Sequence, residues 1–532
     1  MLTVAESWRE TERNGVFRRV DWRFLLPNEH PKRAICFGNS PLNQAISQIA
    51  VVVEQDGATD STFDLAVATN PSRTVLEHAW FMLQPGGVCY IEWTRPVTGG
   101  MRGARRRLEA VGFTNAAFYW AWPPPQHAPA QFWLPLGSPA ALDYFLSHRP
   151  RSQSMLSAMI RTAQRVIWRA AHRSGLVMPL FAVAHKPLGT VPGPLQTDWL
   201  SEVIRVNWEQ WGFGNAPERL SSLLLTGGLS SINKVVSLIF ANDEQVPRLI
   251  VKRPRVPESI PMLAHEAATL RAVQTLRSGG IPGVPKVLFW QQAGFSALGE
   301  TVLNGQPIFT LLQRHNYRRL ALQVTDWLVQ LVNQGVVQCQ EQWWKQIAEP
   351  ALASFENSFR AVIDPTLLGE TRAILATLGN LPLTCEQRDF SPWNVLVAPD
   401  GELVVLDWES AMVQGLPGLD LIYFVTYLAF FLDGAMESKQ FGEPYRATLD
   451  AATYTGRVAE ECQARYAART GVTADTLQAL RLLVWIIHSR SEYRQLTAEH
   501  GGVLTAEHLR NSVFFTLWNI EAQRMRSINR RY

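Results

Sequence analysis

Gln387-Arg388-Asp389-Phe390-Ser391-Pro392-Trp393-Asn394, then the apolar run Val395-Leu396-Val397, then Val404-Val405-Leu406-Asp407-Trp408-Glu409, is the stretch that decides the reading of this chain. It sets an Asp, an Asn five residues on, and a second Asp eighteen residues after the first around two short apolar strands. Phosphoryl transfer needs that layout: one carboxylate facing the acceptor hydroxyl, and an amide with a second carboxylate holding Mg²⁺ against phosphate oxygens. Mg²⁺ takes hard oxygen ligands and keeps several waters, so two protein oxygens beside phosphate suffice. On this reading Asp389 is the candidate base, and Asn394 and Asp407 are candidate metal ligands. A hairpin with polar turn residues is the simpler alternative for this stretch alone, but it leaves the upstream pattern unexplained.

That pattern requires a phosphate-covering loop, a strand Lys and a helix Glu, in this order. Leu223-Leu224-Leu225-Thr226-Gly227-Gly228-Leu229-Ser230-Ser231-Ile232-Asn233-Lys234 followed by Val235 to Phe240 reads as strand, glycine turn, strand. The glycine pair lets backbone amides approach phosphate because no Cβ obstructs them, although Gly-Gly between strands is also ordinary turn chemistry. Lys252 closes the apolar strand Leu249-Ile250-Val251; alone it reads as a solvated strand-end lysine. A helix beginning near Pro261 carries Glu266, fourteen residues past Lys252, and Gly283 to Phe289 reads as the next strand.

Together these residues resemble the aminoglycoside phosphotransferase and choline kinase family, whose loop usually reads His-Gly-Asp-x-x-x-x-Asn before a strand ending in Asp-Trp or Asp-Phe. Gln387 stands where that family has the His that supports the loop. The resemblance implies an α+β, two-lobed protein-kinase-like domain over residues 216–525, with ATP and Mg²⁺ as cofactors and a small-molecule or glycan hydroxyl as acceptor of the γ-phosphoryl group. It places Gly227, Gly228 and Ser230 over the phosphates, with Lys252 orienting them in an ion pair with Glu266. Gly299-Glu300-Thr301-Val302-Leu303-Asn304-Gly305-Gln306-Pro307-Ile308 resembles the family's lobe connection, whose backbone near Thr301 to Leu303 would bind adenine. Asp420 matches a structural Asp that fixes the catalytic loop. The apolar runs Leu421 to Phe431 and Leu480 to Ile487 fall short of the roughly 20 residues that span a bilayer, and read as buried helices of a C-terminal lobe. Acceptor recognition is expected within residues 310–380 and 425–515.

At 532 residues the chain should hold more than one domain. Hydrophobic residues make up 47% and charged residues 18%, an ordinary globular balance, and the formal charge of +4 names no polyanionic partner. The five cysteines form no CxxC pair, which suits a reducing cytoplasm and gives no zinc site. Met1-Leu2-Thr3-Val4-Ala5-Glu6 opens no apolar segment, so a secretory signal is not expected. No array of basic and aromatic residues points to nucleic acid.

The Pro/Gly stretch from Lys186 to Pro194 marks the expected boundary between a domain of residues 1–190 and a linker of 191–215. The first domain reads as α/β, doubly wound: strands at Arg33 to Phe37, Val51 to Glu54 and Phe63 to Ala68, a helix at Leu42 to Ile49, then another helix leading to Leu83-Gln84-Pro85-Gly86-Gly87-Val88-Cys89-Tyr90-Ile91-Glu92. This last segment, with Gly112-Phe113 and a final strand at Phe181 to Ala184, resembles class I SAM-dependent methyltransferases. By that resemblance Gly38 would sit by the cofactor and Glu54 would bind the ribose hydroxyls, as an acid ending the second strand does in doubly wound folds. The first turn carries one glycine where the family has several, and nine residues between Glu54 and Asp64 are too few for a parallel crossover. The expectation is an incomplete methyltransferase-like domain that scaffolds or recognises, with SAM not a working cofactor.

Residues 149–173 hold six arginines and no acid. Arg161, Arg165, Arg169 and Arg173 would share one helical face opposite Leu156, Met159, Ile160, Ala163, Val166 and Ile167. Such a helix can lie at the inner membrane face on anionic head groups, or simply pack on its own protein. Two functions compete with the kinase reading: a silent pseudokinase scaffold, and a bifunctional methyltransferase–kinase. Intact Lys252, Glu266, Asp389, Asn394 and Asp407 favour the enzyme.

Overall fold

The computed structural model describes residues 18–38, 42–55, 62–147, 179–188, 199–227, 234–292 and 295–529. They fall into two compact units, one within Arg9–Leu263 with Leu288–Val302, the other within Ala264–Val287 with Leu303–Tyr532. Residues 149–173, expected as a basic amphipathic helix, lie outside the described residues.

The first unit is built on one sheet of twelve strands: β1 (Arg33–Phe37), β2 (Val52–Gln55), β3 (Phe63–Thr69), β4 (Leu83–Trp93), β5 (Thr114–Trp122), β6 (Phe132–Pro135), β7 (Leu180–His185), β8 (Leu220–Leu225), β9 (Lys234–Ala241), β10 (Leu249–Pro254), β11 (Val287–Gln291) and β12 (Ala297–Thr301). Their order is β11-β12-β10-β9-β8-β6-β5-β7-β4-β3-β1-β2. β1 to β4 are mutually parallel, and the apolar runs of β1, β3 and β4 are continuous rather than alternating because both faces are covered. On one face Trp22 stacks on Tyr90 at 3.8 Å and packs with Leu42, Ala45 and Ile46. On the other lie the helices Arg73–Met82 and Gly100–Val111. The second of these stops at Gly112, whose φ of 107° only glycine adopts without strain. β7 runs antiparallel to both β4 and β5. β2 is the sheet edge among the described residues, with seven residues between it and β3.

β8, β9, β10 and β12 form an antiparallel meander. It joins the α/β part through β6, where Phe132 faces Leu225 and Trp133 faces Leu224. The sheet therefore continues past the Pro/Gly stretch read as a boundary. Within the expected linker stands the helix Trp199–Asn207, held by Leu200, Ile204 and Trp208 against Ile239, Leu249 and Val251. Pro and Gly mark where the chain turns; they do not say which strands later pair across the turn.

The second unit is mostly helical, with two small sheets: β13 (Gln306–Pro307), β16 (Val395–Val397) and β17 (Leu403–Val405) in one, β14 (Val332–Gln338), β15 (Leu381–Glu386) and β18 (Met412–Gly415) in the other. The helix Leu419–Leu432 is apolar all round, which a helix can be only when buried on every side. Its Leu421, Phe424, Val425 and Leu428 pack with Leu320, Phe390 and Tyr466, while Ile422, Tyr423, Tyr427 and Phe430 pack with Phe355, Trp485 and Trp518. No helix among the described residues is long and apolar enough to cross a membrane.

Candidate active site

β15 ends at Glu386 and β16 starts at Val395, so residues 387–394 form the loop between them. β16 pairs antiparallel with β17, Val395 facing Val405, and the Leu406 N–H donates to the Asn394 carbonyl at 2.9 Å. That pairing carries Asp407 back beside Asn394. Asn394 Nδ2 donates to both the carbonyl and Oδ2 of Asp389, each at 2.9 Å. The three residues that the spacing predicted to work together are thus assembled by one short hairpin.

Gln387 locks this arrangement. Its Nε2 donates to the carbonyls of Leu406 at 3.0 Å and Asp407 at 2.5 Å, and its Oε1 accepts from the Asp389 N–H at 2.9 Å. One fully buried amide so bridges both acid-bearing segments. Asp420, in the first turn of the helix Leu419–Leu432, accepts from the Gln387 N–H at 2.7 Å and the Arg388 N–H at 2.9 Å. Arg388 and Asp407 have φ of 70° and 60°, rare for residues with a Cβ. Such conformations persist where the surroundings over-determine them, and they cluster at functional sites.

Burial, then the neighbouring Asp407 carboxylate, then Glu409, push the Asp389 carboxyl up to about 7, against the opposing donor from Asn394. Burial and Glu386 push Asp420 up to about 7 as well, against its two backbone donors. A carboxyl poised near neutral pH has the strength a general base needs. A divalent cation beside Asp407 would favour the ionised form of Asp389 further. Among the described residues no group of three or more His, Cys, Asp or Glu side chains could hold a metal by itself. The oxygens of Asn394 and Asp407 fit Mg²⁺ as two hard ligands whose complement is completed by water and phosphate.

In the sheet unit, β8 ends at Leu225 and leads through Thr226 to Gly227; Gly228 and Ser230 lie outside the described residues. A Cβ at Gly227 would stand 2.8 Å from Cβ of Gln131, closer than real side chains come. Lys252, in β10, is buried with its Nζ 2.9 Å from Oε1 of Glu300 in β12. Facing residues there are Lys252 with Leu298 and Ile250 with Glu300, so the pair is diagonal on one face of the sheet. Glu300 was visible in sequence only as part of the expected adenine segment, because strand register was not. The expected partner Glu266 belongs to the helix Ile260–Thr275 in the other unit, and the Lys252–Glu266 pair stays an expectation. Of the adenine-binding expectations, Thr301 ends β12 opposite Leu249, and Leu303 follows in the second unit.

In the α/β part, Gly38 follows β1 with φ of 97° and open space where a Cβ would be. Glu54 in β2 is already engaged by Arg33 at 2.7 Å, both about one-third exposed at 35% and 32%. Beyond the carboxyl ends of β3 and β4, Asn70 holds Thr94 and Arg95 through its Oδ1, and near the end of β4 Glu92 takes both arms of Arg19 at 2.9 Å plus donors from Tyr90 and Gln126. The Arg19–Glu92 pair spans 73 residues, and no local signal announced it.

No family model matches the chain, and no curated protein matches it by sequence. Its structural neighbours include aminoglycoside phosphotransferases and choline and ethanolamine kinases. An aminoglycoside phosphotransferase from Streptomyces rimosus aligns at 14% identity over 59% of this chain and 98% of its own, with a TM-score of 0.30. A spectinomycin phosphotransferase in complex with ADP and spectinomycin aligns at 14% identity over 62% of this chain and 100% of its own, with a TM-score of 0.33. A choline kinase from Cryptosporidium parvum aligns at 12% identity over 62% of this chain and 95% of its own, with a TM-score of 0.33.

Proposed function

We propose that this protein is an ATP- and Mg²⁺-dependent phosphotransferase that moves the γ-phosphoryl group to a hydroxyl of a small molecule or glycan. The observation that carries the reading is the assembly of Asp389, Asn394 and Asp407 on one hairpin, with Gln387 bonded to both acid-bearing segments. Asp389 would take the acceptor proton, Asn394 and Asp407 would hold the metal, and Lys252 would orient the phosphates. Trp393, exposed in the same loop and 5.6 Å from Tyr427, offers an aromatic face for an acceptor.

We read the α/β part as methyltransferase-like but incomplete. The order β5-β7-β4-β3-β1-β2, with β7 alone reversed among these six, supports this reading, as does the short link from β2 to β3. The engagement of Glu54 by Arg33 favours a structural role for this part over SAM binding.

The test is a thermal-shift titration of the full chain with ATP and GTP, with and without Mg²⁺, beside Asp407→Ala. Ligand binding to the folded state raises apparent stability by mass action. A Mg²⁺-dependent rise that Asp407→Ala loses supports the proposal and opens an acceptor screen. No rise with either nucleotide would sink it in favour of the pseudokinase scaffold.

A further inference from the structure

The α/β part of the sheet unit is bonded to the very residue at which the glycine turn begins. Thr226 is 1% exposed, and four of its polar contacts end on groups far from it in sequence. Its N–H donates to the Gln131 carbonyl at 2.8 Å and its Oγ1 to the Ala130 carbonyl at 2.6 Å. Its own carbonyl accepts from Arg255 Nη2 at 3.0 Å and from Arg18 Nη2 at 3.3 Å.

Arg255 lies three residues beyond Lys252, just past the end of β10. Its Nε donates to Asp21 Oδ1 at 2.9 Å, and both side chains are 0% exposed. Between them, Arg253 is held by Glu29 at 3.2 Å, the Phe24 carbonyl at 2.7 Å and Ser237 Oγ at 3.2 Å. The end of the lysine strand and the start of the glycine turn are thus clamped to each other, and the clamp is closed by residues 18–29. A guanidinium in such a place gives directional bonds that a lysine point charge does not.

We infer that Arg18, Asp21, Thr226 and Arg255 are positioning residues of the nucleotide site, through which the α/β part sets the spacing between the glycine turn and Lys252. This rests on the phosphotransferase reading and extends it: the first 190 residues would work as a component of the nucleotide site rather than as a second enzyme. A purely structural role predicts something else, namely lost stability with unchanged affinity in the molecules that remain folded.

The test uses the full chain and measures the Mg·ATP dissociation constant by calorimetry, beside thermal unfolding and hydrogen exchange of the peptide containing Thr226. Thr226→Val keeps the shape and removes the bond to Ala130; Arg255→Lys keeps a charge for Asp21 and removes the fork. Each should weaken Mg·ATP about tenfold, equivalent to about 1.4 kcal/mol, with exchange rising at the turn and not across the sheet. Thr226→Ser, which restores the hydroxyl, should bind as wild type does. If Arg255→Lys fails to fold, Thr226→Val and the half-buried Arg18→Ala carry the test. Folded Thr226→Val and Arg18→Ala proteins that bind Mg·ATP as tightly as wild type would overturn the inference while leaving the phosphotransferase reading intact. A wild-type chain that binds no Mg·ATP would overturn both.

Discussion

Gln387 carries no charge and titrates nowhere near neutral pH, yet it sits at the joint between the two acids of the site. Its amide satisfies two carbonyls and one N–H that no water replaces in so buried a place. Gln387→Ala should therefore cost about 1–3 kcal/mol of stability, the desolvation of groups left unpaired, and denaturant unfolding would show it. Gln387→Glu should be worse, because a carboxylate would face the Leu406 and Asp407 carbonyls where the amide now donates. Asp389 behaves in the opposite sense. Its folded carboxyl titrates near 7 against an ordinary 3.8, so the ionised form costs the native state stability that returns as pH falls through about 7. Asp389→Asn should lose about 10²–10⁴-fold in turnover if Asp389 is the base. The same variant should melt at or above the wild-type temperature at pH 8. A variant that lost stability and activity together would speak for a structural Asp389.

Among elements, the helix Ala474–Glu499 carries an ionisable group, and the end of β10 is followed by another, whose surroundings make predictions. His488 stacks on Tyr423 at 4.0 Å, and burial, helped by Arg388, holds its imidazole down to about 3. The unfolded chain takes up that proton near 6.5, so stability is fully present above about 6.5 and drains away as pH falls toward 3. The slope from this group is at most about 1.4 kcal/mol per pH unit. His488→Phe, which keeps the stack, should flatten acid unfolding measured by fluorescence between pH 6.5 and 4. In β10 the issue is pairing: Asp21→Ala would strand the Arg255 guanidinium in the interior. Removing one member of a buried pair costs about 3–5 kcal/mol, whereas a surface pair such as Arg219–Asp243 should be nearly silent. Chemical denaturation of the two variants, side by side, separates these cases.

For the whole molecule, the β6–β8 pairing makes a sharp prediction about cutting the chain. A fragment beginning at residue 216 would lose β6, Arg18 and Asp21, baring the β8 edge and burying Arg253 and Arg255 without their acids. It should aggregate or unfold well below the full chain, since unpaired strand edges and uncompensated buried charges both penalise the folded monomer. A fragment that stayed monomeric, with the full chain's melting temperature, would contradict this. Much was legible without coordinates. The period and composition of β1, β3, β4, β9 and β10 marked them as strands, because buried parallel and half-buried antiparallel strands write their burial directly into the sequence. The spacing of Asp389, Asn394 and Asp407 likewise announced one hairpin, because a loop and two three-residue strands bring them together locally. What sequence could not reveal were contacts set by register and by distant pairing. Lys252 meets Glu300 through the offset of two antiparallel strands, Arg19 meets Glu92 across 73 residues, and Arg255 meets Asp21 across 234. The local pattern thus determined strands, helices and the acid-bearing hairpin, because each follows from periodicity or close spacing. The tertiary structure alone decided that the α/β strands and the glycine-turn strands share one sheet, because edge pairing depends on which backbone groups meet and not on the residues flanking them.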